Sequence, residues 1–325
     1  NSNTFPVIDS HSDISFVISK SSNAATKLHP IGALTNEGKG IDLAELFDMK
    51  SAGSVAFGDY KKPIKNPNLL KIALQYVASF EGVVHSFPRE EKIATKGVMN
   101  ENITSTSLGL KGLPALAEEL QIVRDLFILE YTGGKLHIPT ISTKKSVELI
   151  RVAKSKKLDV SCSVAIHNLI YTDEKLIDFD TNFKVNPPLR LASDTKALIE
   201  GLKDGTIDMV TSDHNPINIE YKKIEFDYAK DGTIGLESAF GALNSLFSTK
   251  KTIQLLTKGK ERFGVANSAI KIGDRAQLSL FNPSNSYVFE NKHIRSKSKN
   301  SLFIGYKLKG SVYGIIANNK TSIEL

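Results

Sequence analysis

The sequence predicts an α/β chain built as a (β/α)8 TIM-type barrel, with a small β-sandwich portion at the C-terminus. Three observations carry this. Strand-like and helix-like segments alternate through six steps, the last strand being "IDMVTSD". Most of these strands are near-continuously apolar, as parallel strands buried on both faces must be. From about Ile272 the pattern changes to short alternating runs parted by Gly, Asn and Pro, such as "GDRAQLSLFNPSNSYVFE" and "LKGSVYGIIANNKTSIEL". A closed barrel has eight strand–helix steps, so the first strands are expected to lie outside the given sequence, which opens abruptly on "NSNTFPVIDS". A doubly wound open sheet is the alternative, but no GxGxxG follows any early strand. The expected division is 1–271 for the barrel and 272–325 for the β-segment.

The elements follow in order. Asp9 or Ser10 caps a helix through "HSDISFVISKSSNAA", and "KLHPIGAL" is the first strand. "IDLAELFDMKSAG" is helical with Gly53 as its stop, and "SVAFGD" is the next strand. "NPNLLKIALQYVASF" places apolar residues at helical spacing before the strand "GVVHSF". "LPALAEELQIVRDLFILEYTG" is the strongest helix, with Pro114 near its start and Gly133 and Gly134 at its end. "KLHIPTIS" (strand), "KKSVELIRVAKSKK" (helix), "LDVSCSVAI" (strand) and "SDTKALIEGLKDG" (helix) lead into "IDMVTSD".

Composition narrows the function classes. No apolar run is long enough to span a membrane, so a membrane protein is not expected. The net charge of +7 comes from scattered lysines without interleaved aromatics, which reads as solvated surface rather than a nucleic-acid site. The single cysteine, Cys162, lies in an apolar run and reads as a small core residue; a reducing, cytoplasmic setting fits.

In a barrel, functional groups sit at the C-terminal ends of strands. Those ends are Asn3, Asp59, Phe87, Thr140, Ile166 with His167, and Asp213 with His214, joined by the loops "DTNFKVNPPLR" and "DGTIGLESAFG". Asp213 ends a buried strand in "DMVTSDHNPI", a placement that suits chemistry.

With "NSNTFPVID", "GVMNEN", "LGLKGLPALAEE", "DTNFKVNPPLR", "LIEGLKDGTIDMVTSDHNP" and "GTIGLESAFG" in order along nearly the whole chain, the sequence resembles the dihydroorotases of the amidohydrolase superfamily. The resemblance implies interconversion of dihydroorotate and carbamoyl-aspartate in de novo pyrimidine biosynthesis. It also implies a metal, usually zinc, that generates hydroxide and polarises the amide carbonyl. Asp213 matches the aspartate that holds the metal and shuttles the proton. Asp59 matches one of a pair of acidic residues, with Tyr60 in place of its neighbour. Asn3 and Asn186 match asparagines that bind the pyrimidine ring; Asn186 also suits a plain turn before Pro-Pro. The backbone of "GTIGLE" is expected to line the pocket.

The match breaks at the metal. The positions of two ligand histidines hold Phe87 and Thr140, and Ile217 stands where the family places another histidine. The family's HxH pair would precede Asn1. Phenylalanine cannot ligate zinc and a threonine hydroxyl is a poor ligand, which leaves Asp59 and Asp213 as vestigial metal residues. His85, on the same strand face as Phe87, lies about 7 Å too deep. His167 reads as a hydrogen-bonded core residue, His137 and His214 as structural, and His11, His29 and His293 as surface residues.

The expectation is therefore a catalytically inactive dihydroorotase-like subunit that assembles with aspartate carbamoyltransferase, with a homo-oligomer also expected and zinc present only if the family site is retained. The alternative is an active dihydroorotase with an unusual metal site, drawing on His85 or His167. A third reading, a pyrimidine-sensing regulator, rests on Asn3 and Asn186.

Overall fold

The computed structural model describes residues 2–267 and 270–323. Eight short strands precede the tail: β1 (Ile31–Gly32), β2 (Ala56–Phe57), β3 (Val83–His85), β4 (Met99–Asn100), β5 (Gly112–Leu113), β6 (Lys135–Ile138), β7 (Val160–Ala165) and β8 (Met209–Thr211). Six of them form one parallel sheet in the order β1-β2-β3-β6-β7-β8. Each step returns through a helix, so neighbours in sequence are neighbours in the sheet. The result is the arc of a TIM-type barrel. The remaining pair, β4 and β5, makes a separate two-residue parallel ladder.

Local signals place most helices. Ser10, not Asp9, caps His11–Ser21: its Oγ accepts the Asp13 amide while the Asp13 carboxylate answers the Ser10 amide. Asp9 instead accepts the Glu37 amide at 2.7 Å. Asn66 caps Pro67–Ala78, and Pro114 precedes Ala115–Thr132, which ends at Gly133 with φ 67°.

The core lies between sheet and helices. All six residues of β7 are buried, among them Cys162, whose thiol is pushed up to about 12 by burial and by Asp208. Leu70, Leu74, Leu136, Ile150, Val164 and Leu202 belong to the same apolar cluster.

The tail forms β-strands as expected, here β9 (Leu278–Val288), β10 (Lys307–Ala317) and β11 (Lys320–Ile323) in one antiparallel sheet in the order β11-β10-β9. Its facing layer is the helix Ala239–Leu246: Asn244 donates to the carbonyls of Pro283 and Lys309, and Phe240 meets Phe281 at 4.9 Å. Among the described residues no helix is long and apolar enough to cross a membrane.

Candidate functional site

A cavity of about 200 Å³ opens at the C-terminal ends of the parallel strands. Asp213 supplies the carboxylate of its lining, with Tyr60 and Lys61 after β2, His85 and Phe87 from β3, and Thr140 after β6. The sequence reading thus gathers Asp213, Phe87 and Thr140 correctly around one mouth. His85 lines it too, two residues before Phe87 on the same strand.

The partner of Asp213 is Lys61. Its Nζ lies 2.7 Å from Oδ2 of Asp213 and donates to the Asn186 carbonyl at 2.5 Å. Both side chains are largely withdrawn from water. Burial raises the Asp213 carboxyl above its ordinary range, and the Lys61 charge opposes that without overcoming it. Burial, followed by the Asp213 charge, also raises the Tyr60 phenol. Sequence reasoning missed Lys61 as a site residue. The available signal was a cation directly after Tyr60 at a strand end.

Three backbones at this mouth are held in the left-handed region: Tyr60 at φ 49°, Thr140 at 50° and Asp213 at 46°. None is glycine, and a β-branched residue there is unusual. Each such residue costs about 1–3 kcal/mol, a cost that concentrates at functional sites. Hydrogen bonds hold two of them: the Thr140 amide donates to Ser163 Oγ at 3.2 Å, and the Asp213 amide to Thr211 Oγ1 at 3.2 Å.

The imidazoles beneath are neutral. His85 and His137 lie with ring centroids 4.6 Å apart. Burial and then the Arg262 charge bring His85 down to about 3; burial, then His85, hold His137 well below its usual range. His137 bonds Ser161 at 2.8 Å and Ser163 at 3.3 Å, whereas Nε2 of His85 is buried without a partner.

Other expectations need correction. Asp59 does not line the cavity: its carboxylate accepts the amides of Leu34 and Thr35 at 2.9 and 3.1 Å and the Thr35 hydroxyl at 2.6 Å. It shapes a turn. Asn3 is exposed and outside the lining. The backbone carbonyl of Asn186 meets the site through Lys61. His167 is a core residue as expected, but neither ring nitrogen has a hydrogen-bond partner, and burial with the Lys61 charge takes it to about 3. "GTIGLE" packs instead of lining the pocket: a Cβ on Gly235 would meet the Ser212 carbonyl at 2.3 Å, and the amides of Gly235 and Leu236 donate to His214 Nδ1. His293 is half-buried, its ring 4.8 Å from Tyr287.

Among the described residues no three His, Cys, Asp or Glu side chains are grouped so that they could hold a metal ion.

A family model described as "Dihydro-orotase-like" matches residues 1–146. A dihydroorotase of Acetivibrio thermocellus is 38% identical, the alignment covering 99% of this chain and 78% of that one. A dihydroorotase of Pelotomaculum thermopropionicum is 39% identical, with 99% and 77% covered. Among solved structures, the L-hydantoinase (dihydropyrimidinase) from Arthrobacter aurescens superposes with a TM-score of 0.85 at 20% identity, over 99% of this chain and 76% of that one. The D-hydantoinase (dihydropyrimidinase) from Thermus sp. gives 0.78 at 17% identity, over 97% and 74%. At such identities the likeness speaks for the fold alone.

Proposed function

This chain belongs to the dihydroorotase family, and on that premise we propose that it serves de novo pyrimidine biosynthesis as a dihydroorotase-like subunit without metal-assisted amide hydrolysis. The observation that carries the proposal is the Lys61 ammonium 2.7 Å from Asp213, the carboxylate of the cavity lining. Zinc asks for about four nitrogen, sulfur or oxygen donors. On this reading the donor set does not fit it: Phe87 brings hydrocarbon, Thr140 a hydroxyl, and Asp59 is spent on its turn. A divalent ion would also have to displace, or sit beside, a buried cation.

What the residues do supply is a small, mostly apolar cavity with Lys61 and Asp213 as its charged pair. Lys61 neutralises Asp213 and fixes the Asn186 loop, and neutral imidazoles form the floor. A role beside aspartate carbamoyltransferase, as a non-catalytic partner, follows from the same reading, and co-purification of the two proteins tests it.

The second reading, an active cyclic-amide hydrolase with an unusual metal site, is favoured by the unpartnered Nε2 of His85 in a cavity that also holds His137 and Asp213. One experiment separates the two. Protein produced with zinc in the medium is assayed for metal per chain and for opening of dihydroorotate. The proposal expects substoichiometric zinc and no turnover above background. One zinc per chain with ordinary turnover replaces it with the second reading.

A further inference from the structure

A second cavity lies where the helix Ala239–Leu246 meets the tail sheet. It encloses about 890 Å³, against about 200 Å³ at the strand mouth, and falls within the ~300–1,000 Å³ usual for small-molecule sites. It forms at a break in the β9–β10 ladder. Lys309 pairs with Ser286 and Ser311 with Asn282, so Pro283, Ser284 and Asn285 bulge out opposite Gly310 alone. Gly310 has φ 99°, and a Cβ there would meet the Phe240 ring at 2.7 Å. Phe240, Asn285, Gly310 and Ser311 all line the cavity. Bulges of this kind recur beside binding sites, where they interrupt pairing and re-aim side chains.

Two kinds of chemistry face one another here. Phe240, Tyr287 and Tyr313 bring aromatic rings. Tyr287 is braced by the His293 ring at 4.8 Å, and His293 stacks on Phe289 at 5.8 Å. Lys292 and Arg295 bring cations, and Ser296 and Ser311 hydroxyls. Nδ1 of His293 accepts the Glu290 amide at 3.0 Å, which leaves Nε2 as the nitrogen that donates. Lys292 meets Glu290 at 2.6 Å, but both side chains are more than half exposed, and such a pair exchanges readily with another anion. Glu237 is the one acidic side chain among the described lining residues. Its Oε1 is already engaged, accepting the Ser296 amide and hydroxyl at 2.8 and 2.6 Å. Aromatic faces hold a planar ring by stacking, while ammonium, guanidinium and hydroxyl donors hold an oxygen-rich anion. A ligand that uses both carries a ring and an anion together.

We propose that this cavity binds an aromatic phosphate of the nucleoside monophosphate class, its base among Phe240, Tyr287 and Tyr313 and its phosphate on Lys292 and Arg295. The site is separate from the mouth, and its occupancy does not depend on hydrolysis there. It is nonetheless close in structure: the Ser296 hydroxyl in its lining lies 3.4 Å from Nε2 of His214, the residue after Asp213.

Titration calorimetry of the full chain with AMP and UMP tests the assignment, beside adenosine, ribose 5-phosphate and inorganic phosphate. Saturable, stoichiometric binding at submillimolar concentration is expected for at least one nucleotide, and the tighter of the two names the base. Adenosine and ribose 5-phosphate, each lacking one of the two contacts, are expected to bind about tenfold more weakly or worse. Lys292→Ala with Arg295→Ala, and separately Tyr313→Ser, are expected to weaken the nucleotide about tenfold. Lys196→Ala, at an exposed position on the helix Ala192–Asp204, is expected to change nothing. Should those variants fold poorly, saturation-transfer NMR on the unaltered chain gives a second reading, with stronger transfer expected to base protons than to ribose protons. Inorganic phosphate binding as tightly as the nucleotides, an adventitious ion only, overturns the proposal. So does the absence of binding at millimolar nucleotide, saturation transfer confined to the ribose, or affinity indifferent to both sets of substitutions.

Discussion

Two buried acidic centres stand within this barrel, and they are built on opposite terms. Around Glu118, every contact is matched. Its carboxylate accepts the amides of Ser142 and Thr143 and the hydroxyls of Ser142 and Ser146, with Arg190 at 3.8 Å. Arg190 in turn donates to Ser142, Asn100 and Leu113, and Asn100 and Asn102 both reach Asp173 at 2.6 Å. Around Asp213 there is one cation, three strained backbones, and nearby imidazoles with unmatched nitrogens. A fully satisfied network rigidifies a core, while unmatched buried groups persist where something other than stability is served. The first centre is masonry; the second is a site. They are also joined, since Arg190 anchors the "NPPLR" loop whose Asn186 carbonyl holds Lys61.

The contrast can be broken first at its stronger end. Glu118→Ala strands the Arg190 charge and the three hydroxyl residues, and is expected to cost about 3–5 kcal/mol, read as a loss in urea-unfolding free energy. A cost below about 1 kcal/mol would show that the network is not the keystone described.

At the Asp213 centre, Lys61→Met alone leaves a buried carboxylate unpaired and is expected to cost about 3 kcal/mol, whereas Lys61→Met with Asp213→Asn recovers most of it. The same lysine can be tested as a barrier to metal. Phe87→His with Thr140→His is expected to take up zinc only when Lys61→Gln is added, as measured by metal content. Equal uptake with Lys61 in place would remove the lysine from the account of lost metal chemistry.

The smallest expected effect concerns acid. His85 and His167 stay neutral in the fold down to about 3, but protonate near 6.5 when unfolded. The unfolded chain therefore binds more protons between these values, and stability is lost as pH falls through that window. At pH 5 each accounts for about 2 kcal/mol. Removing the unpartnered ring by His167→Leu is expected to flatten the fall in melting temperature between pH 7 and 5. An unchanged slope would show that His167 is protonated in the folded state.

Much of the scaffold was legible because its signals are local. Apolar runs marked the parallel strands, Asp9 or Ser10 marked the first helix start, and Gly133 ended the longest helix. The β4–β5 ladder was not legible, since two residues per strand carry no period. At the mouth, Asp213, Phe87 and Thr140 were legible as strand ends. Lys61 was not, because its role depends on a residue 152 positions away that only the closing arc brings near. Asn186 was legible by its side chain, whereas the contact of its backbone carbonyl with Lys61 has no signal in the residue type. Asp59 shows the converse, a carboxylate at a strand end that the local turn claims before the cavity can.

Cys162 gives the molecule a clock. The lone thiol sits mid-strand in β7, sealed from solvent and hard to ionise, so reagents that consume thiolates have no target while the arc stays shut. Modification of the unaltered chain then counts openings of a strand buried along its whole length. The same silence leaves any cysteine introduced elsewhere as the sole fast-reacting label.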